Sequence, residues 1–94
     1  MILSFGNKAT GKIWAGEYVK NLPGEIQELA LRKLRMLNRS ENIADLLIPP
    51  SNRLEKLRGN LKKYHSIRIN DQWRIIFRWN KGDAEDVEII DYHR

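Results

Sequence analysis

From Tyr64 to the end of the chain, apolar residues return at every second position, and a β-sheet with one buried face is what accepts that pattern. His65, Ile67 and Ile69 share one side of the first run, with Tyr64, Ser66 and Arg68 on the other. Trp73, Ile75, Phe77 and Trp79 then face inward, against Arg74, Ile76 and Arg78. In the last run Val87, Ile89 and Asp91 share a side, opposite Glu88, Ile90 and Tyr92. Asn70-Asp71 marks a tight hairpin turn, and Asn80-Lys81-Gly82-Asp83 marks a second. These runs predict a three-strand antiparallel meander.

The first half reads differently. Met1–Phe5 is a short apolar strand closed by Gly6-Asn7. Asn7 can cap a helix over Lys8–Lys20, with Ile13, Trp14 and Tyr18 as its buried stripe, although Gly11 and Gly16 weaken it. Asn21-Leu22-Pro23 opens a second helix, in which Ile26, Leu29, Ala30, Leu34 and Leu37 recur at steps of three and four. Glu25 and Glu28 near its start and Arg35 and Arg39 near its end complement the helix dipole. Ile43–Leu47 adds a helical turn, Ile48–Asn52 reads as a loop, and Gly59-Asn60 as a turn. The expected architecture is α+β. A strand and two helices precede the meander, both helices pack on one face of the sheet, and residues 1–94 form a single domain.

The charge narrows the function. The 94 residues carry a net charge of +5, and no cysteine is present for a disulfide or a thiolate metal site. No stretch reads as a signal peptide or approaches the ~20 apolar residues of a membrane span, so the expectation is a soluble cytoplasmic protein. Residues 53–78 hold eight Lys/Arg against two acids, Glu55 and Asp71. The tail 81–94 reverses this, with five acids and two basic residues. A basic stripe of this density predicts a polyanionic partner or an acidic protein.

Arg68 and Arg74 project from neighbouring strands of one hairpin, and paired guanidiniums match phosphate oxygens. Arg58, just before Gly59, can swing into the same space. Arg78 is expected to pair with Glu85 or Glu88. At the end of the last strand stands Asp91-Tyr92-His93. An imidazole with an ordinary pKa near ~6.5 gives and takes protons at neutral pH. Asp91 can orient it or accept a proton, and Tyr92 can stack on a base or lose its own proton beside arginine. His65 lies on the apolar side of its strand and reads as a hydrogen-bonded boundary residue. Trp14, Trp73 and Trp79 fall on apolar stripes and read as core. The acids of the tail are poorly spaced for Mg²⁺. Metal-free RNA cleavage suits the set: the 2′-hydroxyl attacks, cations stabilise the crowded phosphate, and an acid protonates the leaving 5′-oxygen.

Three runs carry a family resemblance: Pro50 through Gly59, His65 through Phe77 with its Trp73-Arg74-Ile75, and Val87 through His93 ending in Asp-Tyr-His. Together they resemble the HigB toxins, the plasmid-maintenance killer branch of the RelE/ParE superfamily. The resemblance spans essentially the whole chain. It implies a RelE-like fold and a ribosome-dependent mRNA endonuclease needing no cofactor or metal, the toxin of a type II toxin–antitoxin pair. The implied partners are a HigA-like helix-turn-helix antitoxin, the 70S ribosome and its mRNA, with operator DNA reached only through the antitoxin. The implied catalytic set is Arg58, Arg74, Asp91, Tyr92 and His93. Arg58 stands where many relatives carry Lys, and a guanidinium there implies electrostatic stabilisation rather than proton transfer. Arg53, Lys56, Lys62, Lys63 and Arg68 would contact RNA. The ParE branch shares the fold but inhibits DNA gyrase without cutting RNA, so a gyrase inhibitor is the alternative. A degenerate toxin acting only as co-repressor is another.

Overall fold

The computed structural model describes residues 1–92; His93 and Arg94 lie outside the described residues. The first helix, α1, spans Lys8–Trp14. The Asn7 side-chain oxygen caps it, accepting from the Thr10 backbone N–H at 2.9 Å and from the Thr10 hydroxyl at 2.7 Å. The helix stops well before Lys20. Gly16 adopts a φ of 86°, and its N–H and that of Glu17 donate to the Ile13 and Lys12 carbonyls at 3.0 and 2.9 Å. That paired bond pattern around a left-handed glycine terminates a helix. Tyr18, expected on the buried stripe, is therefore exposed.

The second helix, α2, spans Gly24–Arg39 and buries Ile26, Gln27, Ala30, Leu34 and Leu37. Pro23 stands just outside its first turn rather than in it. Gln27 serves the preceding loop: its oxygen accepts from the Val19 N–H at 3.0 Å, and its nitrogen donates to the Val19 and Leu22 carbonyls at 2.6 and 2.9 Å. Between α2 and the sheet the chain makes two short 3₁₀ turns, Ile43–Leu47 and Pro50–Asn52. The second lies within the stretch expected to be irregular throughout.

Among the described residues the sheet has four antiparallel strands in chain order: β1 (Glu55–Lys56), β2 (Tyr64–Arg68), β3 (Trp73–Asn80) and β4 (Asp83–Asp91). The meander and both hairpins match the alternation. Asn70 organises the first turn by accepting from the Gln72 and Trp73 N–H groups at 2.9 and 2.8 Å. Lys81 and Gly82 make the second, with φ of 50° and 88°. Strand β1 was not expected; two residues are too few to show a period. The helices pack on one face. Ile13, Ile26, Ala30, Leu34 and Leu37 meet Ile67, Ile75, Phe77, Ala84, Val87 and Ile89 in one core, and Trp14, Trp73 and Trp79 pack against its edge.

Strand β4 carries a bulge. Ile76 pairs with Glu88 and Arg78 with Glu85, so Phe77 faces two residues, Asp86 and Val87. Asp86 takes the extra place with a φ of 51°. The bulge brings both Val87 and Ala84 to the core face, which strict alternation forbids. It also places Asp86 beside Arg78 at 2.9 Å, so the expected pairing of Arg78 with Glu85 or Glu88 is replaced by this one.

The N-terminal segment lies along β4 in parallel, through isolated bridges at Ile2–Ala84 and Phe5–Val87 rather than as a regular strand. The bulge interrupts the ladder, and the Ser4 hydroxyl fills the gap by accepting from the Asp86 N–H at 2.8 Å. Gly6 permits the close approach: a Cβ there would lie 3.2 Å from the Asp86 carbonyl oxygen. Beyond it the buried Thr10 hydroxyl accepts from the Ile89 N–H at 2.9 Å.

Candidate active site

The helix-free face of the sheet gathers several of the candidate residues. Arg68 and Arg74 are register partners on β2 and β3 and share this face, as the alternation predicts. Arg74 is only 5% exposed. Removing a guanidinium from water requires compensating partners, and the fold supplies them. Its Nε donates to the Ser66 hydroxyl at 2.9 Å, and Nη2 donates to the Arg53 carbonyl at 2.5 Å. Nη1 lies 3.7 Å from Oε1 of Glu55 on β1. Its carbon lies 5.3 Å from the centre of the Tyr92 ring. The guanidinium is thus fixed in place before any ligand arrives.

Among the described residues, two open cavities flank Tyr92. The first, about 530 Å³, is lined by Arg53, Arg68, Asn70, Asp71, Gln72, Arg74 and Tyr92. The second, about 720 Å³, is lined by Glu55, Lys56, Leu57, Arg58, Leu61 and Tyr92. Both lie in the range that small-molecule and nucleotide sites occupy. Tyr92 reaches this position because its N–H donates to the Gln72 carbonyl at 2.6 Å, extending β4 across the end of β3. Arg68 also pairs with Asp71. The Lys33 ammonium of α2 has its pKa lowered by burial and then by the Arg68 guanidinium.

The structure brings together Arg58, Arg74 and Tyr92 from the expected catalytic set. Asp91 is placed elsewhere. It is the register partner of Trp73, so its side chain leaves β4 on the opposite side from Arg74, where Gln72 Nε2 donates to it at 3.2 Å. It lines neither cavity. His93, the expected proton shuttle, lies outside the described residues. Among the expected RNA contacts, Arg53 and Arg68 line the first cavity and Lys56 the second, while Lys62 and Lys63 are exposed and line neither.

Glu55 is the residue that sequence reasoning passed over. It is the single acid between Arg53 and Lys63, and in a short edge strand its isolation was the available signal. His65 also departs from expectation. Its ring stacks on Phe77 with centroids 6.0 Å apart, and its buried Nδ1 has no hydrogen-bond partner among the described residues. Burial, and then the Lys56 charge, lower its pKa, which favours the neutral imidazole. Among the described residues no three His, Asp or Glu side chains gather as a metal ion would need, and no helix is long and apolar enough to cross a membrane.

A family model described as the RelE-like toxin of the type II toxin–antitoxin system HigB matches residues 3–93. The chain belongs to the HigB-like toxin family. This HigB-like toxin is 48% identical to Toxin HigB-1 of Vibrio cholerae over 63 residues, 67% of the chain and 66% of that relative. It is 28% identical to Endoribonuclease HigB of Proteus vulgaris over 97 residues, covering 99% of the chain and 100% of that protein. The toxin also superposes on a chain of the YoeB-YefM complex from Staphylococcus aureus with a TM-score of 0.62 at 18% identity, over 100% of its own length and 99% of the other. That likeness bears out the expected fold, two helices on an antiparallel sheet. The expected HigB membership is borne out as well.

Proposed function

We propose that the toxin is an endoribonuclease that cuts mRNA in the decoding site of the translating ribosome, with the Tyr92 cleft as its active site. The observation that carries this reading is the contact between Arg74 and Glu55, a fixed cation and a carboxylate 3.7 Å apart between two cavities rich in arginine and lysine. Transesterification needs such a pair. Arg74, with Arg53 and Arg68 alongside, receives the non-bridging oxygens of the scissile phosphate. Glu55 accepts the proton of the 2′-hydroxyl as that oxygen attacks phosphorus. The bond from phosphorus to the 5′-oxygen breaks, and His93, next in the chain after Tyr92, gives the leaving oxygen its proton. The products are a 2′,3′-cyclic phosphate and a 5′-hydroxyl. Arg58 adds positive charge from the second cavity, and Tyr92 supports a base between the two. Asp91 holds the strand end through Gln72 rather than handling protons. Lys56, Lys62 and Lys63 form a cationic rim suited to ribosomal RNA, whose binding would weaken steeply with salt.

An antitoxin of the HigA-like helix-turn-helix class is the partner that restrains the toxin, and operator DNA is reached through it. Primer extension on a message translated by purified ribosomes tests the assignment. Cuts within translated codons are expected for the unmodified toxin and not for Arg74→Ala. An intact message together with trapped gyrase would replace this reading with the non-nuclease one.

A further inference from the structure

One residue before Arg53, whose carbonyl Arg74 contacts, lies a polar plug that the cleavage scheme does not use. Asn52 is fully buried. Its side-chain oxygen accepts from the Lys33 ammonium of α2 at 2.6 Å, and its nitrogen donates to the Leu46 carbonyl at 3.1 Å and approaches the Met36 sulfur at 3.1 Å. A weaker bond reaches the Ile48 carbonyl at 3.4 Å. The next residue, Arg53, has a φ of 45° and ψ of 56°, a left-handed conformation that residues other than glycine, asparagine and aspartate rarely hold without support. The conformation has a directional result. It turns the Arg53 carbonyl toward Arg74, which donates to it at 2.5 Å.

We propose that Asn52, clamped by Lys33, is a positioning residue for Arg74. It anchors the chain immediately before Arg53, so that the Arg53 carbonyl fixes the direction of the Arg74 guanidinium at the mouth of the first cavity. Helix α2, which touches no substrate, thereby sets the geometry of a cation on the far face of the sheet. A buried amide that only filled space would influence global stability and nothing specific to Arg74. The catalytic half of the proposal rests on the reading of Arg74 as the phosphate-binding cation; the positional half does not.

Two measurements on the full chain separate these. Hydrogen exchange at the Arg74 Nε–H, followed by NMR, reports the orientation of the guanidinium whatever the activity. Asn52→Ala and Lys33→Met are each expected to speed that exchange about tenfold relative to unmodified protein, well below the unfolding temperature. Unchanged exchange in both folded variants overturns the proposal. Cleavage of a translated message supplies the second readout. Asn52→Ala is expected to lower the saturated rate by tenfold to about a hundredfold with KM unaltered. In an Arg74→Ala background the same substitution is expected to add no further loss, because its effect passes through Arg74. Losses that multiply independently in the double variant overturn the proposal. If Arg74→Ala alone leaves cleavage intact, the cleavage reading fails, and the exchange measurement still decides the position of Arg74. Should Asn52→Ala not fold, Lys33→Met, which keeps the apolar stem, carries both tests.

Discussion

The Arg74 guanidinium lies over the ring of Tyr92, 5.3 Å from its centre. The contact joins the middle of the sheet to its final residues and divides the cleft in two. A cation over an aromatic face contributes about 0.5–2 kcal/mol, more as water is excluded. Tyr92→Phe keeps that face and is expected to retain most of the cleavage rate. Tyr92→Leu removes it and is expected to lower the rate by about tenfold, an effect of the size the lost interaction implies. Single-turnover cleavage of a ribosome-bound message compares the two.

Two carboxylates compete for the role of proton acceptor, and their faces separate them. Glu55 lies beside Arg74, whereas Asp91 leaves the opposite side of β4 toward Gln72. Glu55→Gln is expected to reduce cleavage by about 10²-fold or more, the usual contribution of a general base. Asp91→Asn is expected to stay near the unmodified rate. The reverse ranking would return the proton transfer to Asp91.

The faces of β2, β3 and β4 were legible because a period of two, read from Ile67, Ile75 and Ile89, leaves little freedom in register. The same alternation correctly separated Tyr92 from Asp91. Arg74 was harder. A charged residue in mid-strand reads as exposed, and its burial arises from segment 53–55, far away in sequence and folded over it. Glu55 was hidden for the same reason: a two-residue edge strand exists only through its pairing with β2. The bulge at Asp86 was illegible because one inserted residue interrupts the alternation used to find strands. The end of α1 could have been read from Gly16, whose left-handed φ stops the helix.

His65 predicts a pH dependence of stability. Its folded-state pKa lies below the ordinary 6.5, through burial and then Lys56. The unfolded chain therefore binds a proton that the folded chain resists. Stability from this residue is complete above about pH 6.5 and falls as the pH drops below that value toward the lower folded pKa. Urea unfolding between pH 7.5 and 5 is expected to show the decline, and His65→Phe is expected to flatten it. An equal decline in both proteins would assign it to other groups.

Gly82 predicts a stability effect away from the cleft. Its φ is 88°, and a Cβ there would lie 3.1 Å from the Glu41 carbonyl oxygen. Gly82→Ala therefore meets an unfavourable backbone conformation and a tight contact at once. A loss of about 1–2 kcal/mol is expected in thermal or urea unfolding, with the cleavage rate unchanged below the transition.

The use of the 2′-hydroxyl as nucleophile is tested most directly by a translated message carrying one 2′-deoxynucleotide at the mapped cut position. The toxin is expected to cut the all-ribose message there, leaving a cyclic phosphate and a 5′-hydroxyl, and to leave the deoxy-substituted bond whole. Equal cutting of both messages would contradict the mechanism, because no proton taken by Glu55 from that sugar would then be needed.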